Sequence, residues 1–187
     1  ILFQKKNIVY NYHNAKKLFA NESQLLVCEG YFDCITLSIN GFRKSVATMG
    51  TSMSAVQIQL LWQLSNLPIL CYDGDTAGVN AANRIIDIIF PILKPGYSMK
   101  FIFFPDGMDP DDFLKKRGKN EMDKLISNAT PLIDIFWAHF ITSSNFGTPE
   151  DRANIENQLN KMMDRIENAE VKKQYKLEIR DRLTAYW

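Results

Sequence analysis

Leu70-Cys71-Tyr72-Asp73-Gly74-Asp75-Thr76-Ala77-Gly78 packs a unit of structure into nine residues: an apolar run, two aspartates two positions apart, and glycines on the way into an amphipathic segment. The run is short, apolar throughout and bounded by turn residues, so it reads as a strand buried on both faces. In extended backbone, positions i and i+2 share a face, which lets both carboxylates approach one bound ion. The carboxyl edge of an open α/β sheet is where such folds bind ligands.

The same pattern recurs on either side. Leu25-Leu26-Val27-Cys28-Glu29-Gly30-Tyr31-Phe32-Asp33 ends an apolar strand in a glutamate, turns at a glycine and supplies an aspartate four residues later. Phe104-Pro105-Asp106-Gly107-Met108-Asp109-Pro110-Asp111-Asp112 again follows an apolar strand, and Asp109 with Asp111 repeats the two-residue spacing. One such pair is explained equally well as a loop aspartate or a helix N-cap, and Asp109 or Asp111 is placed to cap a helix beginning near Pro110. Three clusters in succession ask for a common cause.

Four runs read as parallel strands: Leu25 to Cys28, Ser45 to Thr48, Pro68 to Tyr72 and Met99 to Phe104. Helical segments alternate with them at Phe32 to Ile39, at Ser54 to Leu64 with Ser52 or Ser54 as N-cap, and at Ala77 to Leu93. The alternation predicts an α/β fold with a mostly parallel sheet flanked by helices. After about Lys119 the periodicity is helical only: Met122 to Ser127, Pro131 to Ile141, Pro149 to Glu167 and Val171 to Tyr186. Turn signals stand at Asn145-Phe146-Gly147, and Thr148 to Asp151 looks like a capping box. The expected division is 1–23 as the end of a preceding unit, 24–128 as the α/β domain, and 129–187 as a small helical subdomain packed against the sheet.

Composition bounds the remaining possibilities. The 187 residues carry a net charge of +1, which is uninformative because a basic groove and an acidic site can cancel. Small basic clusters at Lys5-Lys6, Lys16-Lys17, Arg43-Lys44 and Lys115 to Lys119 are also what solvated faces look like. No apolar run approaches the roughly 20 residues of a membrane span, so a soluble, non-membrane protein is expected. Ile1 to Tyr12 has none of the parts of a signal peptide, and the missing initiator Met suggests a piece of a longer chain. Cys28, Cys34 and Cys71 form no CxxC pair and read as reduced, buried, cytosolic thiols. His13 and His139 have no partner at ligand spacing, so no zinc is expected.

Gathering the acids has an electrostatic cost: two like charges 4 Å apart repel by about 4 kcal/mol at an effective dielectric of 20. A cation is the natural relief. Hard oxygen ligands without nearby His or Cys favour Mg²⁺ or Mn²⁺, ions that bridge carboxylates to phosphates. Phosphoryl transfer follows as the expected chemistry.

Glu29-Gly30-Tyr31-Phe32-Asp33, Ala47-Thr48-Met49-Gly50-Thr51, Asp73-Gly74-Asp75-Thr76-Ala77-Gly78 and Pro105-Asp106-Gly107-Met108-Asp109-Pro110-Asp111 closely resemble, in this order, the motifs of bacterial-type DNA primases, the DnaG family. The resemblance spans most of the first 120 residues. It implies a TOPRIM fold, Rossmann-like, followed by a helical subdomain, as part of an RNA polymerase core. The implied activity is DNA-directed: copying single-stranded DNA into a short RNA primer from ribonucleoside triphosphates, with Mg²⁺ or Mn²⁺, during replication in the cytoplasm.

Carried over residue by residue, the resemblance makes Glu29 the essential glutamate, general base or metal-site ligand, and Asp73, Asp75 and Asp109 metal ligands. Asp33 and Asp111 complete the acids, and Gly30, Gly74 and Gly78 serve turns and close packing. Lys5, five residues before Tyr10, resembles a nucleotide or phosphate contact of the family, although Lys6 stands where glycine is usual. Thr76 replaces a common arginine. A zinc-binding domain, a basic polymerase subdomain and a helicase-binding region are not visible in the 187 residues, so contact with a replicative helicase is expected through a region absent here. The chain by itself is expected to bind metal but synthesise primers poorly. Two rivals remain at this stage. One is a TOPRIM nuclease or topoisomerase; the other is a non-catalytic binding module recruiting partners through Pro149 to Glu167 and Val171 to Tyr186.

Overall fold

The computed structural model describes residues 4–18, 24–50, 53–142 and 147–187. Thr51, Ser52, Asn145 and Phe146, each part of an expectation above, lie outside them, as does the boundary at residue 23. Strands β1 (Leu26–Cys28), β2 (Ser45–Ala47), β3 (Ile69–Asp73) and β4 (Lys100–Phe104) fall on the four apolar runs. They pair in parallel in the order β2-β1-β3-β4, and a short fifth strand, β5 (Thr130–Pro131), closes the far edge antiparallel to β4. The mostly parallel sheet flanked by helices is the expected fold class. β5 was not expected: two residues ahead of a helix offer no apolar period, and the pairing is made by backbone alone.

Nine α-helices are described: α1 (Tyr12–Lys17), α2 (Tyr31–Ile39), α3 (Ala55–Trp62), α4 (Thr76–Ile89), α5 (Pro110–Arg117), α6 (Lys119–Ser127), α7 (Leu132–Ile141), α8 (Pro149–Met163) and α9 (Ala169–Tyr186). Local chemistry sets their ends. Ser54 caps α3 in a reciprocal box with Gln57, and Thr148 does the same for α8 with Asp151, as its sequence suggested. α4 stops four residues short of the expected Leu93 because Pro91 cannot continue it; the chain tightens into a 3₁₀ turn over Phe90–Ile92.

The period-two alternation of each strand sorts the helices into two layers. Leu25, Val27, Leu70, Tyr72 and Phe101 face one core, shared with α3, α4, α7, α8 and α9. Leu26, Cys28, Ile69, Cys71, Ile102 and Phe104 face the other, filled by Leu37 of α2, Phe113 and Leu114 of α5 and Met122 of α6. The helical tail is continuous with the first core: Phe136 is fully buried against Phe90, ring centroids 5.0 Å apart, and Tyr175 of α9 meets Phe90 from another side. The three cysteines are buried and free. Among the described residues no helix is long and apolar enough to cross a membrane.

Residues 5–17 lie along the β2 edge, where Tyr10 and Ala47 exchange backbone hydrogen bonds of 2.7 and 3.3 Å. Gln57, a buried amide on α3, fastens this segment: its Nε2 donates to the carbonyls of Lys5, Ile8 and Thr48 at 3.2, 2.9 and 3.0 Å. A buried amide with so many partners fixes geometry that apolar packing alone would leave loose.

Candidate metal centre

The chain leaves β1 for β2 on one side, then returns past β1 to β3 on the other, so the strand order reverses between β1 and β3. A reversal of this kind opens a crevice at the carboxyl edge. Glu29 follows β1 and Asp73 ends β3, one on each side of it. The β1–β2 pairing continues beyond the strands, with Thr48 N–H on the Cys28 carbonyl and Met49 N–H on the Glu29 carbonyl, both 3.1 Å. Met49 holds a left-handed φ of 55° to make that bond. Such strain costs on the order of 1 kcal/mol or more and pins the backbone of Glu29.

Two glycines permit the crowding. A Cβ on Gly74 would lie 1.7 Å from the Phe104 carbonyl oxygen, and one on Gly78 would lie 2.1 Å from that of Asp73. No side chain fits either place, so β3, its following helix and the end of β4 close on bare backbone.

The aspartates arrive by distinct local routes. Asp75 caps α4, accepting from the Gly78 amide at 2.8 Å, and Asp109 caps α5, accepting from the Asp112 amide at 2.7 Å. Of the two candidates for the α5 cap, Asp109 is the one used. Asp33 sits in the first turn of α2. Asp111, in the first turn of α5, pairs with Lys115 and accepts from the Thr36 hydroxyl at 3.2 Å, which ties α5 to α2. The Lys115 bond is the largest influence holding the Asp111 carboxyl below its usual range.

The remaining acids press on one another. Burial raises the Glu29 pKa, and Asp73 and Asp75 raise it further. Burial and the charges of Asp109 and Asp73 push Asp33 to about 6, against the lowering pull of the Gly30 backbone. Asp73 is raised by burial, then by Asp109 and Asp75. Glu29, Asp33, Asp73, Asp75 and Asp109 are linked through these interactions, with Asp73 at the centre, and Asp111 joins them only through its smaller effect on Asp33. Lys5 takes no part in them; its exposed side chain lies on a 3₁₀ turn, Lys5–Asn7.

Among the described residues, no three His, Cys, Asp or Glu side chains stand together as a ready-made metal-binding group. The donor set nevertheless suits a hard divalent cation: it is all carboxylate oxygen, and no ion pair described reaches Glu29, Asp33 or Asp73. On the β2 side of Glu29 a narrow cleft is lined by Thr48, Gly50, Tyr72 and, from α4, Arg84. Sequence reading passed over Arg84, although it is the sole basic residue between Asp73 and Leu93.

Residues 26–114 match the family described as Toprim-like. Together with the parallel sheet and its acidic edge, the match makes this a TOPRIM protein. The DNA primase of Rickettsia prowazekii is 35% identical over 175 residues, which is 94% of this chain and 30% of that protein. A solved DnaG catalytic core superposes with a TM-score of 0.90 at 32% identity, covering 98% of this chain and 59% of that one. A DnaG primase catalytic domain bound to single-stranded DNA gives 0.88 at 31% identity, covering 96% and 58%. The chain is a TOPRIM segment of the bacterial DnaG primase family, and it spans less than a third of the length of the curated relatives it matches. That family implies use of a divalent metal.

Proposed function

We propose that this chain supplies the metal centre of a DNA primase, which joins ribonucleotides into a short RNA primer on a single-stranded DNA template. The observation that carries the reading is the linked set of six carboxylates at the β1–β3 crevice, three of them raised in pKa with no basic partner. Glu29, Asp33, Asp73, Asp75, Asp109 and Asp111 would hold Mg²⁺ or Mn²⁺, whose contribution is to offset the charge of triphosphate and leaving pyrophosphate.

The chain's own residues do the rest. A primer 3′-hydroxyl bonds to the α-phosphorus of the incoming ribonucleoside triphosphate as the bond to pyrophosphate breaks. Glu29, raised in pKa by desolvation and by Asp73 and Asp75, is the residue we assign to take the hydroxyl proton. Asp75 and Asp109 face two demands, since each also caps a helix; a carboxylate has two oxygens and can serve both. Lys5 is assigned a phosphate contact on the resemblance of its segment. The likeness to a domain bound to single-stranded DNA supports that template.

The test is Glu29→Gln in the full-length protein, with primer synthesis measured on single-stranded template. The substitution should reduce synthesis by at least about a hundredfold, the scale of general acid–base catalysis. Undiminished synthesis contradicts the reading, as does cleavage of labelled strands without any extension by the wild type.

A further inference from the structure

The sheet edge is asymmetric. Asp33, Asp109 and Asp111 reach the crevice from α2 and α5, on one face of the sheet, whereas α4 packs on the opposite face and brings Arg84 to the cleft beside Glu29. The basic residues of α5 are committed: Lys115 to Asp111, Lys116 to Asp112 at 4.0 Å and Arg117 to Asp106 at 3.8 Å. Arg84 is exposed and, among the described residues, has neither an ion pair nor a hydrogen bond. It is also the only cation on α4, a helix whose cap, Asp75, belongs to the acid set. Nine residues separate Asp75 from Arg84, about 13 Å along the axis. Helical side chains lean toward the N-terminus, which shortens that gap.

A substrate that brings phosphates into this crevice presents oxygens to both lips. Those facing the carboxylates would be matched by metal; for those facing α4, the one basic residue lining the cleft among the described residues is Arg84. Its guanidinium fork is shaped to take two phosphate oxygens at once, and it can do so without giving up a bond inside the protein. From this arrangement, and on the metal-centre reading above, we infer that Arg84 is a phosphate contact, gripping the phosphoryl group of the bound nucleotide or strand from the side opposite the acids. The shared ligand chemistry is a phosphate oxyanion, carried either by a ribonucleoside triphosphate or by a phosphodiester backbone.

The experiment uses the 187-residue chain as wild type, Arg84→Ala and Arg84→Lys. Mn²⁺ alone is titrated calorimetrically, followed by ATP on the Mn²⁺-loaded protein; a fluorescent oligothymidylate is titrated by anisotropy. Arg84→Ala should leave Mn²⁺ binding and the melting temperature unchanged and weaken ATP or the oligonucleotide about tenfold or more, the scale of a charge-assisted bond. Arg84→Lys should fall between, because it keeps charge without the fork. Whichever probe loses affinity names the source of the phosphate. Unchanged affinity for both probes overturns the inference, and so does weakened Mn²⁺ binding or a lowered melting temperature, which would mark a structural role. Wild type that fails to bind Mn²⁺ sinks the metal-centre reading itself. Wild type that binds Mn²⁺ but neither probe sinks the inference alone.

Discussion

Asp33 shows how single residues here are held out of their ordinary state. Its folded pKa of about 6 lies above the ordinary 3.8, so the folded protein binds this proton more tightly than the unfolded chain does. The stability contributed by that proton is present below about pH 4 and is lost as pH rises through about 6. Metal binding runs the other way, because a ligand must be deprotonated. Apparent Mn²⁺ affinity should therefore rise steeply with pH up to about 6 and flatten beyond it, whereas thermal stability in chelator should decline over the same interval; calorimetry and melting curves across pH check both. At Gly74 the constraint is steric. Gly74→Ala places a methyl 1.7 Å from a backbone oxygen that cannot move without shifting β4. It should cost about 3 kcal/mol or more by denaturant unfolding, at the high end of single substitutions. The acids were legible in the sequence as types and spacings; their coupling was not, because it depends on which strands become neighbours.

Helix caps and candidate metal ligands coincide in α4 and α5, and substitution can separate the two roles. Asp109→Asn keeps the oxygen that accepts from the Asp112 amide but removes the charge; Asp109→Ala removes both. The alanine variant should lose about 1 kcal/mol of stability, the asparagine variant close to none, and both should weaken Mn²⁺ binding. Equal melting temperatures in the two would show that the cap contributes nothing. Strands β1 to β4 could be read from sequence because each is a short, mostly apolar run with Gly or Asp at or within three residues of its end, the pattern of strands buried on both faces, although Ser45 opens β2 and Lys100 opens β4. Tyr12–Lys17 and Thr130–Pro131 could not. The first is a single short turn of helix entered through a left-handed Asn11, and the second is defined only by its partner strand. Neither leaves a hydrophobic period long enough to detect.

Across the whole molecule one core runs from the sheet through α4 to the tail, so the helical part expected to pack against the sheet is built into it. Phe136→Ala, at the centre of that continuity, should cost about 3–5 kcal/mol and lower a single cooperative transition rather than splitting it; near- and far-ultraviolet melting curves that diverge would contradict this. The candidate metal centre is likewise a property of the folded whole, since its acids come from three segments separated by dozens of residues and brought together by the sheet and by the Thr36–Asp111 bond between α2 and α5. Divalent metal should then stabilise the fold by mass action. The most direct measurement is calorimetric titration of Mn²⁺ into the wild type and into Asp73→Asn/Asp75→Asn, in which asparagine retains the α4 cap while two charges are lost. Saturable binding by the wild type that falls at least about tenfold in the variant, with the fold intact, is the predicted result; equal binding by both, or none by the wild type, contradicts the account.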